Sequence, residues 1–157
     1  MPIIVVNLFW FSSIDLSARS ARKSMSKPQV IIRTLEDIPE WLDQRLLAAY
    51  LETVYRVVGP DKKGASLKIG DEKNALIDHL VRMEIDSLAI ITAFNPHSVL
   101  LSPLENERRN LALREDLKGH ATLLLPSIHI APDESWEQEH GFCAAGIESG
   151  LAVEIGR

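Results

Sequence analysis

The sequence predicts an α/β protein of the mixed α+β kind, with a single mixed β-sheet of about five strands and helices packed on it. Three observations favour this fold class. Apolar residues recur at helical spacing in several stretches, β-rich runs lie between those stretches, and the length of 157 residues suits one domain. Hydrophobic residues make up 46% of the chain and charged residues 25%, which is typical of a globular protein. The predicted order of elements is αββαβαββα.

The first helix is predicted over residues 34–50, where Thr34 as N-cap and Asp37 three residues later precede apolar residues at helical spacing. Two short β-rich runs follow, at 53–58 and 66–69, and the loop between them consists of turn-forming residues. We therefore expect a β-hairpin after the first helix.

The middle of the chain continues with a helix and then a strand. Asp71 is the expected N-cap of the second helix, in which Leu76, Leu80 and Met83 form one apolar row. The run Ser87–Phe94 is almost continuously apolar and includes β-branched residues, which indicates a strand covered on both faces. We interpret it as the central strand of the sheet.

The third helix has the clearest signals for its start and end. Ser102 as N-cap, Pro103 at the first helical position and Glu105 at the third form a capping box, and Gly119 stops the helix after Lys118. This pattern predicts a helix from the capping box to Lys118.

The remaining elements follow in the order strand, strand, helix. The strands are predicted at 121–125 and 141–147, the polar stretch 132–140 connects them, and the last helix covers 148–155.

The ends of the chain are expected to differ from its body. We expect residues 1–30 to form a disordered or non-native extension and residues 31–157 to form the single α/β domain. Met25 and the residues after it resemble a natural start, so we hypothesise that Met25 is the native initiator. The alternative is that the apolar run 2–11 packs as an added strand or helix, or contacts a partner.

Charge, hydropathy and cysteine content exclude several classes of partner. The net charge of −5 gives no electrostatic support to nucleic-acid binding. The apolar run 2–11 is too short for a membrane span, which needs about 20 residues. Cys143 is the single cysteine, so no internal disulfide can form. We therefore expect a cytoplasmic protein without nucleic-acid or membrane partners.

Neither a metal nor a cofactor is expected. His129, Glu134, Glu139 and His140 match no standard ligand spacing, and we interpret them as part of a solvated, acidic connecting loop. Glycine-rich phosphate loops of the Walker or dinucleotide type are absent from the sequence.

One polar cluster is the candidate functional site. Asn95, Pro96, His97 and Ser98 follow the carboxyl end of the predicted central strand, where open α/β sheets tend to bind ligands. The N-terminus of the third helix lies close by, and its positive dipole end favours an anion.

The pattern of the third helix adds further residues to this cluster. Leu113 and Leu117 define its buried stripe, and stepping back along that stripe reaches Asn110 and Asn106, so two amides point inward. Arg109 lies on an adjoining row. The candidate binding residues are therefore Asn95, His97, Ser98, Asn106, Arg109 and Asn110.

A purely structural interpretation of the same residues stays open. Buried amides commonly satisfy the backbone of an irregular loop, and Arg109 is also placed to pair with Glu105 or Glu107.

Two functions from different classes fit these residues. The first is a binding module for a small anionic ligand or a protein partner, without chemistry of its own. The second is a small hydrolase or transferase acting on a phosphorylated or carboxylated metabolite, with His97 as base and Arg109 holding the anion. We favour the first because the cluster has no nucleophile, metal set or carboxylate pair. Catalytic residues and the oligomeric state are not assigned, and an exposed sheet edge that binds a partner is a third interpretation.

One further pattern extends over much of the chain. It consists of Thr92 to Ser98, followed by Leu101, Ser102, Glu105, Asn106, Arg109, Asn110, Leu113, Asp116 and Leu117, together with Tyr55 to Val57, Trp136, Glu139 and Gly146. On these residues the chain resembles, over roughly residues 45–157, the bacterial domain of unknown function family 3293. The resemblance implies a small bacterial protein and supplies no activity, substrate or cofactor. Similar proteins continue into a further strand, whereas this chain stops at Arg157, so we expect the sheet to lack an edge strand.

Overall fold

The computed structural model describes residues 6–9, 44–59, 64–69, 71, 74–96, 99–132 and 136–156. Four helices and six strands lie in these ranges. In chain order they are β1 (Val6–Phe9), α1 (Gln44–Glu52), β2 (Val54–Val58), β3 (Gly64–Leu67), α2 (Ala75–Arg82), β4 (Ser87–Ile91), α3 (Pro103–Leu117), β5 (Leu123–Ile130), β6 (Glu139–Ala145) and α4 (Ser149–Ile155).

The six strands form one sheet in the order β1-β4-β6-β5-β2-β3. The α+β fold class is therefore confirmed, and the five strands after α1 follow the expected order along the chain. The expected mixed pairing was wrong, because every pair of neighbouring described strands is antiparallel. The physical reason is that β6 inserts between β4 and β5. These two strands run in the same direction across the α3 connection but do not touch.

Packing on both faces explains why β4 is continuously apolar. Leu88 and Ile90 are buried on one face of the sheet, and Ala89 and Ile91 are buried on the other. The predicted coverage of this strand on two faces is confirmed. Its predicted central position was wrong, because β6 and β5 occupy the middle of the sheet.

Each face of the sheet carries its own apolar core. On the first face, called the α2 face below, the buried side chains are Leu76, Ile77, Leu80, Tyr55, Val57, Leu67, Ile85, Leu88, Ile90, Leu125, Cys143 and Ala145. On the second face, called the α3 face, they are Leu113, Leu117, Ala152, Ala89, Ile91, Ala93, Ala144 and Ile147. Helices α3 and α4 thus cover the face opposite to the one that α2 covers.

The capping signals of α3 were accurate and those of α2 were not. The Ser102 hydroxyl accepts a hydrogen bond from the Glu105 amide at 3.3 Å, and Pro103 begins the helix as predicted. The N-cap of α2 is Asn74, whose side chain accepts from the Leu76 amide at 2.9 Å. Asp71 instead accepts from the Lys68 amide in the turn that precedes the helix.

The predicted N-terminal extension, residues 1–30, and the predicted first helix, residues 34–50, lie largely outside the described residues. Val6–Phe9 form β1 and pair with β4, which is one of the arrangements considered for the apolar run 2–11. The predicted N-cap Thr34 and the hypothetical initiator Met25 are not among the described residues. Where the structure describes the chain, no helix is long and apolar enough to cross a bilayer.

Candidate functional site

The chain leaves β4 through a short segment that is held by side-chain hydrogen bonds. The Thr92 hydroxyl donates to the His140 carbonyl at 2.7 Å and accepts from the Phe94 amide at 3.1 Å. The next residue, Asn95, has a backbone φ of 41°, in the left-handed region. Asparagine tolerates this region better than most residues, because its short amide can bond to nearby backbone groups.

Asn95 and Asn106 form a reciprocal pair at the start of α3. The Asn95 amide N–H donates to Asn106 Oδ1, and Asn106 Nδ2 donates to Asn95 Oδ1, both at 2.9 Å. The same Asn95 Oδ1 accepts from the Leu101 amide at 3.0 Å. Both side chains are buried. The pair therefore fastens the loop between β4 and α3 to the helix.

A carboxylate from the distant strand β6 completes this group. Glu139 Oε1 accepts from Asn95 Nδ2 at 2.9 Å and from the Trp136 indole nitrogen at 3.0 Å. Burial raises the pKa of Glu139, and these two hydrogen bonds oppose part of that rise. Asn95, Asn106, Trp136 and Glu139 are called the amide–carboxylate cluster below.

Arg109 lies one turn beyond Asn106 and has an unusual environment. Its Nε is buried and has no hydrogen-bond partner among the described residues. Its Nη1 lies 3.8 Å from Glu105 Oε1, which is longer than a hydrogen bond. Both Glu105 oxygens instead accept from Arg108, at 2.8 and 2.7 Å. The guanidinium of Arg109 is therefore left with unused donors.

Asn110 is the second inward amide of α3, and it differs from Asn106. It is 7% exposed, and its Oδ1 has no hydrogen-bond partner in the described part of the chain. In the part of the chain that the structure describes, no hydrogen bond connects it to the amide–carboxylate cluster. The inward direction of Asn106 and Asn110, inferred from the helical stripe, agrees with the burial of both residues.

The structure joins only some of the six candidate binding residues. Asn95 and Asn106 are in direct contact, whereas Arg109 is beside Glu105 and Asn110 stands apart from the pair. His97 and Ser98 lie outside the described residues. The structural interpretation considered from the sequence accounts for Asn95 and Asn106, because their polar groups are used by the loop and by each other.

Trp136 and Glu139 belong to this region although they were not among the candidate residues. They are separated from Asn95 by more than 40 positions of sequence, so no local pattern could place them there. The signal that could have found them was the family resemblance, which included both.

A second polar group lies on the α2 face. His129 Nε2 is 3.1 Å from the Ser127 hydroxyl, and its ring packs edge-on against Tyr55 with ring centroids 5.0 Å apart. Burial, and to a smaller extent the charge of the nearby His140, lower the pKa of His129 to about 4. The histidine is therefore neutral at pH 7, and Ser127 beside it is 2% exposed, too buried to meet a substrate.

The loop assignment of this stretch was wrong for all three of its described residues, which lie in strands, and the solvated character was wrong for two of them. His129 is buried in β5, and Glu139 is half-buried at the first position of β6. His140 is exposed on the other face and contacts Glu107. Glu134 is not among the described residues, and within the described ranges no three histidine, cysteine or acidic side chains are grouped so as to hold a metal ion.

These features define an α+β protein with an antiparallel sheet and a polar cluster at the start of α3. Residues 91–157 match the family model described as "Protein of unknown function (DUF3293)", so the resemblance noted from the sequence is confirmed over these residues. The matched residues include the whole amide–carboxylate cluster, Arg109 and Asn110. No curated protein and no solved structure gave a match.

Proposed function

We propose that this protein is a binding domain for a small anionic ligand and that Arg109 is the residue that contacts the anion. The observation that carries the proposal is the buried Nε of Arg109, which has no acceptor among the described residues. Its acidic neighbour Glu105 is engaged by Arg108 through both oxygens.

The energetics of buried donors support this role. A buried polar group without a partner costs about 1–3 kcal/mol, and more when it is charged. Such a group in a folded protein calls for a partner of complementary charge. An anion at Arg109 Nε would supply that partner.

The geometry of the guanidinium indicates the chemical class of the ligand. The Nε–H and one N–H of Nη2 point in the same direction, so they form a planar edge with two donors. That edge matches the two oxygens of a carboxylate or phosphate group. Arg109 Nη1 is the nitrogen nearest to Glu105, on the opposite side of the guanidinium from this edge. The ligand is therefore a small molecule with an accessible carboxylate or phosphate.

The enzyme alternative remains a prediction. It assigns His97 as the base, and His97 lies outside the described residues. A cytoplasmic location is also part of the proposal. It is supported by Cys143, which is a free and buried thiol.

An NMR titration of the protein with inorganic phosphate and, separately, with acetate tests the proposal. The Arg109 Nε–Hε resonance should shift and saturate in the wild type. Arg109→Ala and Arg109→Lys should each weaken binding about tenfold or more, because a hydrogen bond to a charged group contributes about 1.5–3 kcal/mol. The conservative lysine variant should fail because it retains the charge but lacks the planar edge.

Arg114→Ala is the matched control. Arg114 is an exposed arginine of the same helix, so its removal changes the net charge equally without touching the site. This variant should bind as the wild type does. Equal binding by Arg109→Ala and the wild type would disprove the proposed role of Arg109.

A further inference from the structure

We propose that Arg108 is a positioning residue that holds the Glu105 carboxylate beyond hydrogen-bond distance of Arg109, at 3.8 Å, and so leaves the donors of Arg109 available to an anion. This inference rests on the proposed function and deepens it. Without this role, Arg108 and Glu105 would form an ordinary surface ion pair.

The helix places two arginines in competition for one carboxylate. Glu105 lies three residues before Arg108 and four before Arg109, and both spacings allow a contact along a helix. The carboxylate bonds to Arg108, whose Nε donates to Glu105 Oε2 at 2.8 Å and whose Nη2 donates to Oε1 at 2.7 Å. The closest approach of Arg109 to the same carboxylate is 3.8 Å. The bidentate pair with Arg108 thus holds the Glu105 carboxylate in an orientation in which it forms no hydrogen bond with Arg109.

The exposure of the two arginines explains why the competition matters. The Arg108 side chain is 67% exposed, whereas that of Arg109 is 23% exposed. Water and salt screen the Arg108 pair more strongly than they would screen a pair with Arg109. Without Arg108, the carboxylate would therefore turn to Arg109 and neutralise part of the charge that the ligand needs.

The ionisation of Glu105 also indicates that Arg108, rather than Arg109, is its main partner. The pKa of Glu105 is lowered chiefly by its hydrogen bonds with Arg108, and the charge of Arg109 contributes less.

The first test is a double-mutant cycle for phosphate binding with Arg108→Ala, Glu105→Gln and the double variant. Arg108→Ala alone should weaken binding about fivefold, as expected for the release of one exposed ion pair. In the Glu105→Gln background the same substitution should have no effect, because no carboxylate remains to turn towards Arg109. Arg108→Lys should recover part of the affinity, since lysine can still pair with Glu105.

This cycle separates positioning from a general loss of positive charge. A general effect of charge would be additive, so Arg108→Ala would weaken binding equally in both backgrounds. The control Arg114→Ala would then weaken binding as well. Either result would overturn the positioning role while leaving Arg109 as the anion contact.

The second test needs no ligand and measures the pKa of Glu105 by carbon-detected NMR. With Arg108 present, Arg109→Ala should leave this pKa almost unchanged. In the Arg108→Ala background, Arg109→Ala should raise it clearly, because Arg109 has become the partner of Glu105. An equal change of the Glu105 pKa in the two backgrounds would be enough to overturn the role of Arg108. Failure of the wild type to bind any phosphate or acetate would instead overturn the proposed function, together with the effect on binding inferred from it.

Discussion

Asn106 accepts a hydrogen bond from the backbone amide of Asn95 and donates one to its side-chain oxygen, each at 2.9 Å. Eleven positions of sequence separate the two residues, so this exchange closes the loop between β4 and α3. Each amide uses both its donor and its acceptor. We therefore regard this pair as the structural support of the region and keep the proposed contact with a ligand for Arg109.

The first prediction concerns Asn106→Leu. Leucine has a similar size but can neither accept from the Asn95 amide nor donate to its side chain. The buried Asn95 N–H would be left without a partner, which costs about 1–3 kcal/mol of unfolding free energy. Urea denaturation followed by circular dichroism measures this change. A variant as stable as the wild type would show that the pair does not support the fold.

The second prediction concerns Asn110→Leu, which is the matched substitution one turn later on the same helix. Asn110 is as buried as Asn106, but its Oδ1 has no partner among the described residues. Removing an unsatisfied buried acceptor should leave stability unchanged or increase it by about 1 kcal/mol. The same urea measurement applies. A loss comparable to that of Asn106→Leu would contradict the distinction between the two amides.

The third prediction concerns the pH dependence that Glu139 introduces. Burial raises its pKa in the folded state, so the folded protein binds a proton more readily than the unfolded chain does. This group therefore adds stability as the pH falls through its folded pKa and opposes folding at neutral pH. Glu139→Gln keeps an acceptor for Asn95 and Trp136 but removes the charge. We expect it to be at least as stable as the wild type at pH 7, with an advantage that shrinks on acidification.

Denaturation curves between pH 7 and pH 4 test this expectation. Glu137→Gln, at a nearby exposed position, is the control and should show no such trend. A Glu139→Gln difference that grows on acidification would reverse the sign of the argument.

Local signals in the sequence determined the helix that carries the site. The Ser102 cap and Pro103 at the first helical position were visible as sequence neighbours, and the apolar stripe of α3 gave the inward direction of Asn106 and Asn110. These features depend on contacts within a few residues. A single sequence shows such contacts directly.

Contacts between distant residues could not be predicted in the same way. The insertion of β6 between β4 and β5 depends on pairing such as Ile90 with Cys143, and no local pattern encodes it. The partnership of Asn95 with Glu139 follows from that insertion. The polar character of His129 and Glu139 also led to a loop assignment, although the sheet accommodates both.

The fourth prediction concerns Gly141 on β6, which lies against the His129 ring on the neighbouring strand β5. A Cβ atom at Gly141 would lie 2.8 Å from His129 Nε2 and 2.5 Å from the Ile91 carbonyl oxygen. Both distances are too short, and the carbonyl belongs to the backbone and moves little. Gly141→Ala should therefore destabilise the protein by about 1–3 kcal/mol. Gly64→Ala is the control, because its Cβ would meet only ordinary contacts at 3.6 Å or more. Equal thermal midpoints for the two variants would contradict this prediction.

The last prediction concerns acid unfolding through His129. Its pKa is lowered from 6.5 to about 4, chiefly because burial disfavours the charged ring. The unfolded chain therefore binds a proton at a higher pH than the folded protein does, and stability falls as the pH drops from 6.5 towards 4. The full loss is about 3 kcal/mol for a shift of this size. Glu139, its cross-strand neighbour, acts in the opposite direction, so the two contributions must be separated by substitution.

His129→Gln removes the titrating ring and should flatten the pH dependence of unfolding between pH 6.5 and 4, even if it lowers stability at pH 7. The control is His120→Gln, at an exposed position after α3, which should retain the slope of the wild type. Urea denaturation at four or five pH values gives these slopes, and NMR titration of the His129 ring gives its pKa directly. A His129→Gln slope identical to that of the wild type would contradict this prediction, because removal of a buried neutral histidine should remove its share of the loss of stability in acid.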